Sequence, residues 1–350
     1  MQNEQIFLQR KRNELQTKRK ERHEEMNATC EKTTRRGFLA GTAAFAALGA
    51  GGCATKAAAA AGALDPEAIG LISDIHVGLP LARQKYKTMR DYPHQPAATQ
   101  VLVREILSLP RPPANVLCLG DISLAFGEPE DYEIAAETLK PLMDAGIRVT
   151  CAMGNHDIRA EFLRCFPGYD KASKVPGRFV SVVNTPHADF ILLDSLVEPD
   201  KRGSYGACTK KGLGKEQLDW LKDAIASATR PTFLCSHHPA SGLGIPMSIY
   251  KNRIVPGYLH GHTHQWTTGY LRGDFDENAR MLREVGIPTL GFEWDVGWGL
   301  LRTTAKGATL ICNARDFYYP LPKPKSERPA EWDMHVRDWA GRTIGFSFEA

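Results

Sequence analysis

His260-Gly261-His262-Thr263-His264 is the stretch on which the reading of this chain turns. A glycine between two imidazoles two residues apart gives a tight loop whose ring nitrogens can converge on a metal ion. Four upstream segments carry what such a site still needs: Asp74-Ile75-His76, Gly120-Asp121, Gly154-Asn155-His156-Asp157 and His237-His238. Each directly follows an apolar run that predicts a strand, at residues 68–73, 115–119, 148–152 and 231–236. Donors at several strand ends can meet, because open α/β sheets bind ligands in the crevice beyond the carboxyl ends of their strands. The donors are carboxylates, one amide and imidazoles, a hard-to-borderline set that suits Mn, Fe, Zn or a similar divalent ion. None of the cysteines falls inside these five segments.

Asp-x-His, Gly-Asp, Gly-Asn-His-Asp, His and Gly-His-x-His, in this order from about Ile69 to about Thr268, resemble the calcineurin-like metallophosphoesterase superfamily. Any one piece alone is weak, but five in order are not. The resemblance implies one metal ion held by Asp74, His76 and His264, a second held by Asn155, His237 and His262, and Asp121 bridging the two. His156 then sits beside the ions and either stabilises the phosphoryl charge or protonates the leaving oxygen, with Asp157 orienting its imidazole from behind. His238, next to a ligand, reads as a substrate contact or a supporting donor; Asn155 is a further substrate contact. His260 also neighbours a ligand and is not assigned as one.

The implied activity is hydrolysis of a phosphomonoester or phosphodiester by direct attack of metal-bound hydroxide, with no covalent phosphoenzyme. Two cations roughly 3.5–4 Å apart clamp the phosphoryl group and make hydroxide near neutral pH. Mn, Fe, Zn and Co are all acceptable to such ligands. Leu193-Asp194-Ser195 together with residues 212–221 narrows the likeness to the branch holding class III cyclic-nucleotide phosphodiesterases and glycerophosphodiesterases. Where members of that branch often carry a second proline after His-His-Pro, this chain has Ala240-Ser241. A reading from another class is a metal-binding interaction module with a silent site.

Ahead of the ligand segments, residues 1–32 are rich in Lys, Arg, Glu and Gln without an apolar pattern. Thr33-Thr34-Arg35-Arg36-Gly37-Phe38-Leu39 resembles the twin-arginine export signal and is followed by an Ala-rich, weakly apolar stretch. That stretch is shorter than the roughly 18 residues a membrane span needs. The expected start is Met26, which leaves a leader of ordinary length and residues 1–25 untranslated. Ala50-Gly51-Gly52-Cys53 admits two processing routes, acylation of Cys53 or simple cleavage by signal peptidase. Residues 1–52 thus read as a leader, 53–64 as an Ala-rich spacer, 65–320 as the catalytic domain and 321–350 as a tail packed on it. The expected location is outside the cytoplasm, reached through the twin-arginine translocation machinery, with membrane contact only through a lipid on Cys53.

Residues 1–36 hold 10 of the 44 Lys and Arg and 6 of the 40 Asp and Glu, leaving 34 of each sign beyond them. A formally neutral domain lacks the basic footprint of a nucleic-acid binder, so a small-molecule phosphoester is the expected partner. The eight cysteines show no close pairing, and Cys118, Cys151, Cys235 and Cys312 fall in apolar runs as small buried hydrophobes rather than a disulfide framework. Helices are predicted over 97–109 and 130–145, a hairpin over 179–193, and a helix opening at 212. Further strands are predicted at 266–271, 288–292, 299–304 and 308–314. This alternation, with the resemblance, implies two facing mixed β-sheets flanked by helices, a four-layer α-β-β-α sandwich. Phe292, Trp294 and Trp298 could stack on a substrate ring or fill the core. The long loop over 77–96 could line a substrate pocket, and no residue in it is singled out.

Overall fold

In β1 (Asp65–Ile72) successive buried side chains go to different places: Ile69 and Leu71 enter one apolar core, Ala68 and Ile72 another. A strand buried on both faces reads as a continuous apolar run, and side chains two apart share a face. The same split recurs in β2, after α1 (Gln95–Leu107). There β2 (Pro113–Cys118) sends Leu117 to the first core and Val116 and Cys118 to the second. The computed structural model describes residues 63–79, 83, 95–201, 203–208, 213–271, 282–290, 295–315 and 337–348.

The chain continues through α2 (Pro129–Asp144), β3 (Arg148–Cys151), α3 (Arg159–Cys165), α4 (Tyr169–Ala172), β4 (Ser181–Asn184), β5 (Asp189–Leu192), β6 (Leu196–Val197) and β7 (Ala207–Cys208). Next come α5 (Lys215–Ala226), β8 (Thr232–Ser236), α6 (Met247–Tyr250), β9 (Gly257–His260), β10 (Thr267–Leu271), β11 (Leu282–Gly286), β12 (Val296–Thr304), β13 (Gly307–Arg315) and β14 (Thr343–Ser347). One six-stranded sheet has the order β14-β13-β12-β1-β2-β3, with β1, β2 and β3 mutually parallel and the rest antiparallel. The other has the order β10-β11-β9-β8-β5-β4, with β5, β8, β9 and β11 parallel.

Three cores make the layers. Between the sheets, Ile69, Leu71 and Leu117 pack with Phe190, Leu192, Phe233 and Leu259. Outside the first sheet, Ala68, Ile72 and Val116 pack on Leu102 and Ile106 of α1 and Leu139 and Leu142 of α2. Outside the second, Ile191, Leu234 and Tyr258 pack on Leu221 and Ile225 of α5. The expected α-β-β-α sandwich is thus realised. No helix among the described residues is long and apolar enough to cross a membrane.

Some local expectations change. The strand expected at 288–292 shows, in its described part, only an isolated bridge from Thr289 to Val296. The strand lies earlier, at β11, because Leu282–Gly286 pairs on both sides, with β9 and β10. The tail's last described segment does more than cover the surface: β14 extends the first sheet beside β13 and sends Ile344 and Phe346 between the sheets. Trp298 is core, buried with its Nε1 donating to Glu105 Oε2 at 3.1 Å, and cannot stack on a substrate. Phe292, Trp294, Arg35, Arg36, Cys53 and most of the 77–96 loop lie outside the described residues. Cys118, Cys151, Cys165, Cys235 and Cys312 are free thiols.

Asp131, in the first turn of α2, ties the fold to the loops beyond β1 and β2. Its carboxylate accepts from Ser123 Oγ (2.8 Å), Leu124 N–H (3.1 Å) and Leu79 N–H (3.3 Å). Burial pushes its pKa from 3.8 up to about 7 against these bonds. Between those values the folded protein keeps a proton that the unfolded chain releases, so this group's contribution to stability falls as pH rises and then levels off. Urea unfolding of Asp131→Asn, which does not titrate, should therefore compare better with the parent at pH 8 than at pH 5. An unchanged difference would contradict this.

Candidate metal centre

The ligand candidates stand where the parallel strands of both sheets end. Asp74 and His76 follow β1, Asp121 follows β2, Asn155 and His156 follow β3, and His237 and His262 follow β8 and β9. Main-chain pairing runs on past the strands: Asp74 N–H donates to Gly120 O (3.0 Å), His76 N–H to Asp121 O (3.1 Å) and Gly261 N–H to His237 O (3.0 Å). His262 N–H then crosses between the sheets to both oxygens of Asp74, at 3.1 and 3.0 Å.

Among the described residues, those other than glycine with positive φ are Asp74 (49°), His76 (41°), Asp121 (50°), His262 (67°) and His264 (55°). Left-handed backbone costs an L-residue roughly 1–2 kcal/mol. Every such distortion falls on a candidate ligand, and strain of this kind persists where the surroundings over-determine it. Two glycines are required by close approach. A Cβ on Gly261 would lie 1.9 Å from Ser73 Oγ and 2.5 Å from Asp74 Oδ2, and one on Gly154 would lie 2.1 Å from Asp121 Oδ1. Gly261 thus serves by letting the β1 end come close rather than by bending the loop itself.

The side chains gather into two sets. Ligand atoms of Asp74, His76, Asp121 and His264 lie within 4.8 Å of one another, as do those of His237, His238 and His262. Atoms bound to one ion at about 2.1 Å stand roughly 3–4 Å apart, so the spacing fits. In the first set His76 Nε2 is 3.1 Å from His264 Nε2 and 3.5 Å from Asp121 Oδ2, and His264 Nε2 is 3.2 Å from Asp74 Oδ1. In the second, His237 Nε2 is 3.1 Å from Asn155 Oδ1, 3.2 Å from His262 Nδ1 and 3.2 Å from Asp121 Oδ2. One oxygen, Asp121 Oδ2, therefore faces both sets. The other, Oδ1, accepts from His156 N–H at 2.8 Å.

Two rings are held with one nitrogen turned inward. His76 Nδ1 is 3.1 Å from Leu124 O and His237 Nδ1 is 2.9 Å from Leu119 O. A carbonyl only accepts, so each Nδ1 carries the proton and each Nε2 presents a lone pair to the cluster. Around His237 Nε2 that lone pair meets acceptor oxygens, which only a proton or a metal ion can reconcile. The charge balance agrees. Burial opposes charge on His237, yet the Asp121 carboxylate overcomes it and lifts the pKa to about 9. Burial likewise opposes ionisation of Asp74, and the His264 charge and hydrogen bond hold it at about 2. His76 is driven down to about 3 by burial and by the neighbouring His156. The donor set thus fits a pair of cations.

Asp157 does not stand behind His156 as expected. Its carboxylate accepts from Ile122 N–H and Ser123 N–H (both 3.1 Å), Gly154 N–H (2.8 Å) and Tyr132 O–H (3.3 Å), so it pins the loop beyond β2 to the loop beyond β3. None of these bonds goes to the imidazole, and His156 Nδ1 is buried without a partner. His156 Nε2 stands 3.9 Å from Asp121 Oδ2. His238 Nδ1 is 2.7 Å from Ser195 Oγ, while its Nε2 is also buried and unpartnered. His260 turns away, Nδ1 bonding to Gly261 O at 2.7 Å. The sequence reading missed Ser195 and Tyr132 as supports, since lone hydroxyl side chains give no periodic signal.

Two facing mixed sheets, whose parallel strands end in adjoining sets of imidazoles and carboxylates, define a metal-dependent phosphoric ester hydrolase. The chain belongs to the calcineurin-like phosphoesterase family, which it matches over residues 68–266. A relative from Psychrobacter arcticus, named a probable cyclic nucleotide phosphodiesterase, is 24% identical over 221 residues, covering 58% of this chain and 75% of that protein. One of the same description from Rhodopseudomonas palustris is 29% identical over 178 residues, 46% of this chain and 60% of that protein. Among solved structures, a dimetal phosphatase from Danio rerio is 15% identical with a TM-score of 0.49, over 72% of this chain and 96% of the other.

Replacing Asp157 by Ala should leave three buried N–H groups unpaired, each at a cost of about 1–3 kcal/mol. Chemical denaturation should therefore show several kcal/mol lost. A change below about 1 kcal/mol would mean that this carboxylate is not the staple between the two loops.

Proposed function

We propose that this protein is a dinuclear-metal phosphodiesterase, with Asp74, His76 and His264 holding one ion and Asn155, His237 and His262 the other. The observation that carries this reading is the single oxygen Asp121 Oδ2 lying 3.5 Å from His76 Nε2 and 3.2 Å from His237 Nε2, between the two sets. A bound pair of divalent ions, Mn, Fe, Zn or Co, supplies neutralisation of the phosphoryl charge and an acidified water. The protein's own groups do the rest. Asn155 contributes a donor atom without adding negative charge, so an anionic diester is less repelled. His156, its Nδ1 unpartnered and its Nε2 near Asp121, is placed to bond the phosphoryl oxygens or to give a proton to the departing oxygen. His238 Nε2 is a second inward nitrogen available to a bound anion. Diesters, and cyclic nucleotides among them, are favoured by the names of the two relatives.

Asp121→Asn should lose both metal, measured by elemental analysis, and hydrolysis of bis-p-nitrophenyl phosphate. His156→Ala should keep its metal and slow turnover by about 10²–10⁴. Full turnover in both variants would refute the assignment. A metal-loaded parent inert to diesters and monoesters would instead favour a metal-binding interaction module.

We also propose export through the twin-arginine machinery, on the strength of Arg35-Arg36-Gly37-Phe38-Leu39 ahead of an Ala-rich stretch. Lipid attachment at Cys53 and simple cleavage are the two processing routes. Changing Arg35 and Arg36 together to Lys should hold the protein in the cytoplasm of fractionated cells. Continued appearance outside it would sink this part.

A further inference from the structure

Beside His156 stands an aromatic ring that the catalytic reading leaves unused. Tyr205 is 52% exposed, unusual for a ring fixed so near a buried cluster, and its centroid lies 4.6 Å from that of His156 at a 48° tilt. Phe126, on the loop beyond β2, lies 4.8 Å from Tyr205 on a tilt of 31°. His156 Nε2 stands 3.9 Å from Asp121 Oδ2, so ring contacts link that carboxylate through the imidazole to the exposed Tyr205 and on to Phe126.

Tyr205 is held firmly. It stands two residues before β7, which pairs with β6 so that Val197 faces Ala207. The next residue, Gly206, donates its N–H to Asn155 O at 2.7 Å. No side chain fits at Gly206: a Cβ there would lie 2.6 Å from Leu196 Cδ1 and 2.8 Å from Val197 O. The backbone beside Tyr205 is thereby tied to the same residue whose amide faces His237. Val197, 40% exposed, adds apolar surface to this hairpin. Tyr270 is also exposed, but its ring, on the edge strand β10 of the second sheet, is occupied by the Arg283 guanidinium at 4.8 Å. Among the described residues, the rings against Tyr205 are those of His156 and Phe126, and the residue is half exposed.

We propose that Tyr205, backed by Phe126, is a stacking rest for a planar aromatic group on the substrate, a nucleobase or aryl ester, and so a specificity-determining residue of the same site. The inference rests on the phosphodiesterase reading. A phosphoryl group held beside Asp121 would have His156 within reach, and Tyr205 lies one ring beyond His156, 4.6 Å between centroids. Stacking is sequence-tolerant because every base has a π-face, which makes the preference one for aromatic over aliphatic diesters rather than for one base.

The test is calorimetric binding of 5′-AMP and of ribose 5-phosphate, which share a phosphate and a sugar and differ by the base, to the metal-loaded full chain. The parent should bind AMP more tightly. Tyr205→Ala should weaken AMP by roughly 5- to 150-fold, the range expected of one stacked base, and leave ribose 5-phosphate unchanged. Tyr205→Phe should behave as the parent. On adenosine 3′,5′-cyclic phosphate the alanine variant should raise KM while kcat stays within about twofold, and it should not alter kinetics on the corresponding base-free methyl riboside. Equal binding of the two ligands by the parent, or equal loss of both in the variant, would overturn the inference. So would a kcat that falls alike on both cyclic esters, which would make Tyr205 a prop for His156. If the parent hydrolyses no diester, the functional reading fails, while the AMP comparison still decides the stacking role.

Discussion

Acceptor atoms facing one another inside a protein are tolerable only when a positive charge lies among them, and this molecule is built around such an arrangement. Asp74, His76, Asp121 and His237 are all essentially excluded from water, and their inward atoms crowd around Asp121 Oδ2. Burying unpaired charge costs far more than any local packing returns. The Asp121 carboxylate lifts the pKa of His237 against burial, and the His264 charge holds Asp74 ionised, so imidazolium can stand where a cation would otherwise sit. Metal binding and protonation therefore compete for the same lone pairs.

The surrounding structure serves to keep those atoms crowded. Five candidate ligand residues adopt left-handed backbone, which each would abandon if free. Two buried carboxylates outside both candidate sets hold them there. Asp131 collects donors from the loops beyond β1 and β2, and Asp157 collects donors from the loops beyond β2 and β3. Both have pKa values raised to about 7, chiefly by burial, the same desolvation that the ligand carboxylates overcome with imidazolium partners. The sandwich contributes through its parallel strands: β1, β2 and β3 end beside β8 and β9, so short loops from two sheets reach a common point.

Much of this could be read along the chain. Strands buried on both faces announce themselves as apolar runs, which is why the ends of β1 and β2 and all of β8 were legible. β9 was not, because Gly-Tyr-Leu-His is four residues long and carries no periodic pattern. β14 was passed over although Ile344 and Phe346 alternate with polar or small residues as in a half-buried strand, because the alternation is only two apolar residues long and has Gly345 at its centre. Trp298 could not be sorted between core and substrate, since its type suits both, until its burial against Glu105 was known.

By itself, then, the sequence determined the chemistry: which residue types gather, in what order, and hence the family and the layered fold, because ligand identity and strand patterning are local properties. Only the tertiary structure decided how those residues share the work. That Asp157 staples loops instead of bonding to the His156 ring, that one oxygen of Asp121 faces both candidate sets, and that Tyr205 lies against His156 all depend on contacts between segments 30 to 190 residues apart. Side-chain direction is set by packing across such distances, and neighbouring residues in the chain carry no record of it.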